Sequence, residues 1–137
     1  MTIAYWCVLA AGLMPFLFTA IAKASAGRYD NRDPRLWQAQ LAGMPQRAHA
    51  AHLNSFEALP LFAAGVIIAH LAGVAQSRID LLALAFIALR LGYGVCYLAG
   101  WATLRSLVWV LALACNIAFI AKRPRGLMAD RPPRLDG

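Results

Sequence analysis

The chain has 137 residues, of which 61% are hydrophobic and 14% charged, and its formal net charge is +7. A typical soluble domain has about 45–50% apolar and about 25% charged residues, so the composition argues against a soluble enzyme. The net positive charge does not indicate nucleic acid as a partner. Most of the basic residues lie in loops and in the tail KRPRGLMADRPPR, beside an apolar segment. Such a tail is attracted to anionic lipid. The composition therefore indicates an integral membrane protein in contact with membrane lipids.

Four apolar segments follow one another along the chain. A spanning helix needs about 20 apolar residues, and only helices or closed barrels satisfy their backbone hydrogen bonds in lipid. Barrel strands would instead alternate in polarity over about ten residues. The sequence predicts an all-α, integral membrane four-helix bundle that forms a single domain over 1–137. The helices are expected over 3–24, 47–75, 78–99 and 104–121, followed by a basic tail over 122–137.

The first segment has no charged residue before Lys23. A signal peptide is the alternative, because the small residues at 24–26 resemble a cleavage site. The amino end lacks the basic residue of a signal peptide, and the apolar run exceeds the usual length of about 7–15 residues. We therefore expect a retained membrane helix.

The longest polar stretch, GRYDNRDPRLWQAQLAGMPQ, joins the first and second helices. Turn-forming residues around Asp33 precede 35–41, for which we predict one interfacial turn of helix with Trp37 at the headgroup level. The residues at 43–45, Gly-Met-Pro, are expected to break the chain before the second helix. The aspartates do not match the spacing of a calcium-binding loop.

Two polar stripes interrupt the second and third segments. On a helix, Arg47, Asn54 and Glu57 lie within about 80° of one another. The third segment has a stripe at i, i+3 and i+7, formed by Arg90, Tyr93 and Tyr97. At 1.5 Å per residue, Glu57 and Arg90 lie at about the same depth, roughly 14–15 Å from one membrane face.

An arginine in the middle of a spanning helix costs about 2.5–3.5 kcal/mol, so we predict that Arg90 forms an ion pair with Glu57. A pair that only fixes the helix register is the alternative, although buried ion pairs often stabilise no more than apolar replacements do. Ionisable residues inside a membrane usually serve function. We therefore favour a functional polar pocket.

Arg105 begins the fourth helix, on the same membrane side as Tyr97 and Arg47. One interpretation is an interfacial arginine whose charged end extends to water. The other is a fixed cation that lowers the pKa of a bound thiol, since the thiolate is the reactive nucleophile.

The histidines and cysteines do not predict a metal site. His49 and His52 share a helix face at i, i+3, but no third ligand is evident. The three cysteines, Cys7, Cys96 and Cys115, lie inside predicted membrane helices without metal-ligand spacing, and we expect packing thiols.

Two stretches of the sequence resemble a known family. RAHAAHLNSFEALPLF, at 47–62, is similar to the second-helix signature of the MAPEG proteins, the membrane-associated proteins in eicosanoid and glutathione metabolism. It contains the N-x-x-E of Asn54 and Glu57, followed by a Pro-Leu-Phe step. RLGYGVCYLAGWATLRSLVW, at 90–109, resembles the family's third helix and the start of its fourth. The long first loop and the short second and third loops also resemble the family. The resemblance covers about 3–121 and indicates a bacterial-type member.

The resemblance implies a homotrimer in a bacterial inner membrane, with glutathione bound between helices of adjacent subunits. It implies a glutathione-dependent transferase or peroxidase that acts on hydrophobic electrophiles or lipid hydroperoxides arriving from the lipid. The catalytic residue would be Arg105, which stabilises the glutathione thiolate. The residues implied in glutathione binding are Arg47, Asn54, Glu57, Arg90, Tyr93 and Tyr97.

Ala50 departs from the family pattern, because many members have an arginine four residues before the motif's asparagine. Arg47, one turn earlier on the same face, would partly replace it. Some members bind lipid without catalysis, so a non-catalytic lipid-binding or scaffold protein on the same fold is the alternative. A small four-helix multidrug transporter is disfavoured, because those proteins place an essential carboxylate in the first helix and 3–24 has none.

Overall fold

The computed structural model describes residues 1–121. Within this range the chain forms five α-helices and no strand: α1 Ile3–Ser25, α2 Pro34–Ala39, α3 Gly43–Leu71, α4 Gln76–Ala99 and α5 Ala102–Ile120. The four long helices, α1, α3, α4 and α5, have the length and apolar composition to cross a membrane. The predicted all-α membrane four-helix bundle is confirmed, and the chain is a multi-pass integral membrane protein. The basic tail predicted over 122–137 lies outside the described residues.

The second membrane helix, α3, begins and ends earlier than the sequence indicated. It starts at Gly43 rather than at 47, because Pro45 falls in the first turn, where a helix needs no backbone N–H. It ends at Leu71 rather than at 75. Gly73 then takes a left-handed backbone conformation, with φ of +67°, that lets the chain turn directly into α4.

The turn of helix expected around Trp37 is present as the short helix α2. The Asp33 carboxylate caps it by accepting a hydrogen bond of 3.0 Å from the backbone N–H of Leu36, and Pro34 occupies its first position. The indole N–H of Trp37 donates to the carbonyl of Arg28 at 3.0 Å. The first loop is therefore held by its own hydrogen bonds.

The central pair of the bundle is α3 and α4, each of which contacts both α1 and α5. Phe62 of α3 and Phe86 of α4 stack with ring centroids 4.0 Å apart. Phe119 of α5 packs 6.0 Å from Phe62, over the space left by the missing side chain of Gly65. These aromatic contacts fix how α5 lies on α3 and α4, and so which side of α5 faces the interior.

The packing of α1 against α4 depends on Gly94. A Cβ atom at this position would overlap the ring of Phe18, which is 3% exposed. We expect Gly94→Ala to lower the free energy of unfolding by about 1–3 kcal/mol, the usual cost of overpacking a core. Thermal unfolding of the detergent-solubilised protein measures this effect.

Gly92 provides the matched control, because a Cβ atom there would meet nothing within 4 Å. Gly92→Ala is expected to leave stability unchanged or slightly raised, since alanine has the higher helix propensity. Equal melting temperatures for the two variants would contradict a steric role for Gly94.

Candidate functional site

Two neighbouring cavities lie between the long helices, an inner one lined by α3, α4 and α5 and an outer one lined by α4 and α5. The inner pocket has a volume of about 180 Å³, and its polar lining comes from Asn54, Glu57, Arg90 and Asn116. The outer pocket has a volume of about 460 Å³ and is lined by Tyr93, Tyr97, Arg105, Ser106, Trp109 and Val110. Trp109 lines both cavities, so the two pockets are neighbours.

Helix α3 contributes Asn54 and Glu57 to the inner pocket. They are three residues apart, so the helical repeat places them on one face. The side-chain N–H of Asn54 donates to a carboxylate oxygen of Glu57 at 3.0 Å. Glu57 is at the midpoint of α3 and is exposed on the surface of the single chain. The site therefore has the carboxylate of Glu57 at the middle of a long apolar helix, oriented by the side-chain amide of Asn54.

A ladder of two tyrosines with an arginine at each end runs from the inner to the outer pocket. The Arg90 guanidinium lies 4.4 Å from the ring centroid of Tyr93. The rings of Tyr93 and Tyr97 meet edge to face at 5.5 Å, and the Arg105 guanidinium lies 4.4 Å from the ring centroid of Tyr97. Cation–π contacts of this kind stabilise by about 0.5–2 kcal/mol. This arginine–tyrosine ladder places one cation in each pocket.

The predicted ion pair between Glu57 and Arg90 is not formed. Both residues line the inner pocket, but no hydrogen bond joins them in the part of the chain that the structure describes. Glu57 is instead bound by Asn54, and the guanidinium of Arg90 lies over Tyr93. Glu57 and Arg90 lie at about the same depth and line the same cavity. Each side chain nevertheless contacts a residue of its own helix, Glu57 with Asn54 and Arg90 with Tyr93.

Arg47 is not brought into either pocket. Its Nε donates to the backbone carbonyl of Leu98 at 3.0 Å, near the carboxyl end of α4. A cation there compensates carbonyls that have no helical partner and interacts favourably with the helix dipole. Arg47 was expected to replace the arginine that is absent at Ala50. Its side chain points to the end of α4 instead, so it does not do so.

Asn116 is a polar residue of the inner pocket that the sequence did not single out. It lies on α5, is 4% exposed and lines the inner pocket opposite the polar residues of α3 and α4. A signal for it was present, because Ala112, Asn116 and Phe119 have the i, i+4, i+7 spacing of a buried helical stripe. All three are buried in the structure.

Three polar atoms of the inner pocket are buried without a hydrogen-bond partner among residues 1–121. They are the Asn54 Oδ1, the Arg90 Nη2 and the Asn116 Oδ1. Since more than about 90% of buried polar groups are paired in proteins, three such atoms in one cavity are unusual. The inner pocket is chemically suited to a ligand that both donates and accepts hydrogen bonds.

Two of the three histidines, His52 and His70, contact α1. The Nδ1 of His52 lies 2.8 Å from the Thr19 hydroxyl and 2.9 Å from the Pro15 carbonyl on α1. His70 stacks on Tyr5 with ring centroids 4.5 Å apart. Within residues 1–121, no cluster of three potential ligands could hold a metal ion. The three cysteines are free thiols, and Cys7 and Cys96 are buried.

A comparison with protein families identifies this architecture. The model of the MAPEG family matches residues 3–122, nearly the whole chain. No curated protein and no solved structure matches the chain.

Proposed function

This chain belongs to the MAPEG family, and we propose that it is a glutathione-dependent membrane transferase or peroxidase for hydrophobic electrophiles or lipid hydroperoxides. The family contains glutathione transferases and peroxidases as well as non-catalytic members. The observation that carries the proposal is the arginine–tyrosine ladder, which places Arg90 in the inner pocket and Arg105 in the outer one.

The polar groups of the two pockets fit the chemistry of glutathione. The tripeptide has two carboxylates, one ammonium group and one thiol. Two guanidinium groups, from Arg90 and Arg105, can neutralise anions, and Glu57 can bind a cation. The unpartnered atoms of Asn54, Arg90 and Asn116 would gain partners from a peptide. Burying such atoms without partners costs about 1–3 kcal/mol each, which a polar ligand would offset.

Arg105 is the residue we assign to catalysis. When bound, glutathione supplies a thiolate that forms a bond to an electrophilic carbon while the leaving group departs with its electron pair. In the peroxidase reaction, two glutathione thiols are oxidised to the disulfide, and the hydroperoxide is reduced to an alcohol and water. The guanidinium of Arg105 favours the thiolate over the thiol by its charge. Tyr97 holds this guanidinium in place through its ring face, so the cation is ready before the substrate arrives.

The exposed position of Glu57 supports assembly as a homotrimer. A carboxylate facing the lipid at the middle of a spanning helix would be costly. In the trimer that the family resemblance implies, a neighbouring subunit would cover this face of α3 and complete the glutathione site. The hydrophobic second substrate would reach the outer pocket from the lipid, next to the exposed side chains of Leu107 and Val110. The location in a bacterial inner membrane is part of the same proposal.

Glutathione binding by the purified protein tests the proposal. We expect a trimer by native mass spectrometry, saturable binding below millimolar glutathione by equilibrium dialysis, and turnover of chlorodinitrobenzene or cumene hydroperoxide. Glu57→Gln is expected to weaken binding, because it removes the anionic partner of the glutathione ammonium. No binding at millimolar glutathione would contradict the proposal.

The hydrogen bond from Arg47 to the Leu98 carbonyl favours a second candidate function. This is a non-catalytic lipid-binding or scaffold protein on the same fold. Among residues 1–121, neither pocket is lined by an arginine of α3, whereas many members of the family have one at the position of Ala50. This candidate predicts stable trimers without turnover, and a cellular function that survives Arg105→Leu.

A further inference from the structure

The inner pocket is too small for a whole tripeptide. Its volume is about 180 Å³, whereas pockets for drug-sized ligands measure about 300–1,000 Å³. Under the proposed function, on which this inference rests, only one end of glutathione can occupy it. The cysteine thiol would then lie toward Arg105 in the outer pocket, past Trp109, which lines both cavities.

The two ends of glutathione differ in charge. The glycyl end has only a carboxylate, whereas the γ-glutamyl end has an α-carboxylate and an α-ammonium group. The inner pocket contains one cation, Arg90, but it also contains the carboxylate of Glu57 and two amide oxygens without partners, on Asn54 and Asn116. A lone carboxylate would leave those acceptors unpaired and would be repelled by Glu57.

An α-amino acid group complements the polar groups of the pocket in number and in charge. Its ammonium has three N–H donors, and the pocket offers three acceptors, from Glu57, Asn54 and Asn116. Its carboxylate can accept from the unpartnered Nη2 of Arg90. We propose that Asn116 is a binding residue for the ammonium of the γ-glutamyl end, so that α5 determines which end of glutathione enters the inner pocket.

Asn116→Leu tests this assignment, since leucine has a similar size, removes both polar atoms and suits the apolar surroundings of α5. We expect the variant to bind glutathione roughly tenfold to a hundredfold more weakly in equilibrium dialysis, the usual effect of losing a hydrogen bond to a charged group. Ile117→Ala is the matched control. Ile117 is the next residue on α5, is 59% exposed and does not line the pocket, so binding should equal that of the unmodified protein.

Two shorter ligands identify the end of glutathione at Asn116. γ-Glutamylcysteine keeps the amino acid group, and Asn116→Leu should weaken its binding by the same factor as for glutathione. Cysteinylglycine lacks that group, and the substitution should change its binding by less than about threefold. The inference is overturned if Asn116→Leu leaves glutathione affinity unchanged, if Ile117→Ala lowers affinity equally, or if cysteinylglycine is affected as strongly as γ-glutamylcysteine.

The same titrations separate this inference from the proposed function. If the unmodified protein binds glutathione and Asn116→Leu binds it equally well, the assignment of Asn116 fails and the glutathione site stands. If the unmodified protein binds no glutathione, the proposed function fails first, and the assignment of Asn116 fails with it.

Discussion

Arg105→Leu is expected to reduce turnover of the proposed glutathione reaction by about a hundredfold or more, the usual effect of removing a group that stabilises a developing or resting anion in an active site. It should also shift the pH profile of turnover to higher pH. A nearby cation lowers the pKa of a thiol, so the pKa of the bound thiol rises when the cation is removed, and the thiolate then forms only at higher pH. Steady-state kinetics across pH measures both effects.

Two variants serve as controls for Arg105→Leu. Arg105→Lys keeps the positive charge, so its pH profile should stay close to that of the unmodified protein. Arg78→Leu removes an arginine at the start of α4, the helix end away from Arg105, and should leave the profile unchanged. An unaltered profile in Arg105→Leu, with turnover close to that of the unmodified protein, would exclude Arg105 as the residue that stabilises the thiolate.

The sequence was sufficient to predict the membrane helices and the polar faces of α3 and α4. Helices follow from the length of apolar segments, because lipid leaves the backbone no other hydrogen-bond partners. The stripe of Arg90, Tyr93 and Tyr97 follows from the helical repeat alone. The structure adds that these side chains stack on one another and reach Arg105 on the next helix.

Contacts between helices could not be predicted in the same way. Depth counting places Glu57 and Arg90 at one level, but it does not give the direction of either side chain, and each found a partner on its own helix. Arg47 shares a helix face with Asn54, yet its long side chain reaches the end of α4. The inward position of Asn116 depends on the packing of Phe119 over Gly65, a contact between residues far apart in the chain.

Arg90→Leu is expected to weaken glutathione binding by about a hundredfold, since truncating one partner of a buried charge pair costs about 2–5 kcal/mol of binding. The same substitution should leave thermal stability unchanged or higher. Arg90 is 2% exposed, and an arginine in the middle of a spanning helix costs about 2.5–3.5 kcal/mol. Its contact with Tyr93 recovers about 0.5–2 kcal/mol, so leucine should be the better residue for stability alone.

The opposite responses of binding and stability separate a ligand-binding Arg90 from one that only fixes helix register. If the arginine held α3 and α4 in register through Glu57, both Arg90→Leu and Glu57→Gln would lower the melting temperature in detergent. The absence of a hydrogen bond between these two residues, and the unpartnered Nη2 of Arg90, favour the binding role. A melting temperature that falls in Arg90→Leu while glutathione affinity stays within about threefold would make Arg90 a structural residue, because a group that binds the ligand cannot be removed without loss of affinity.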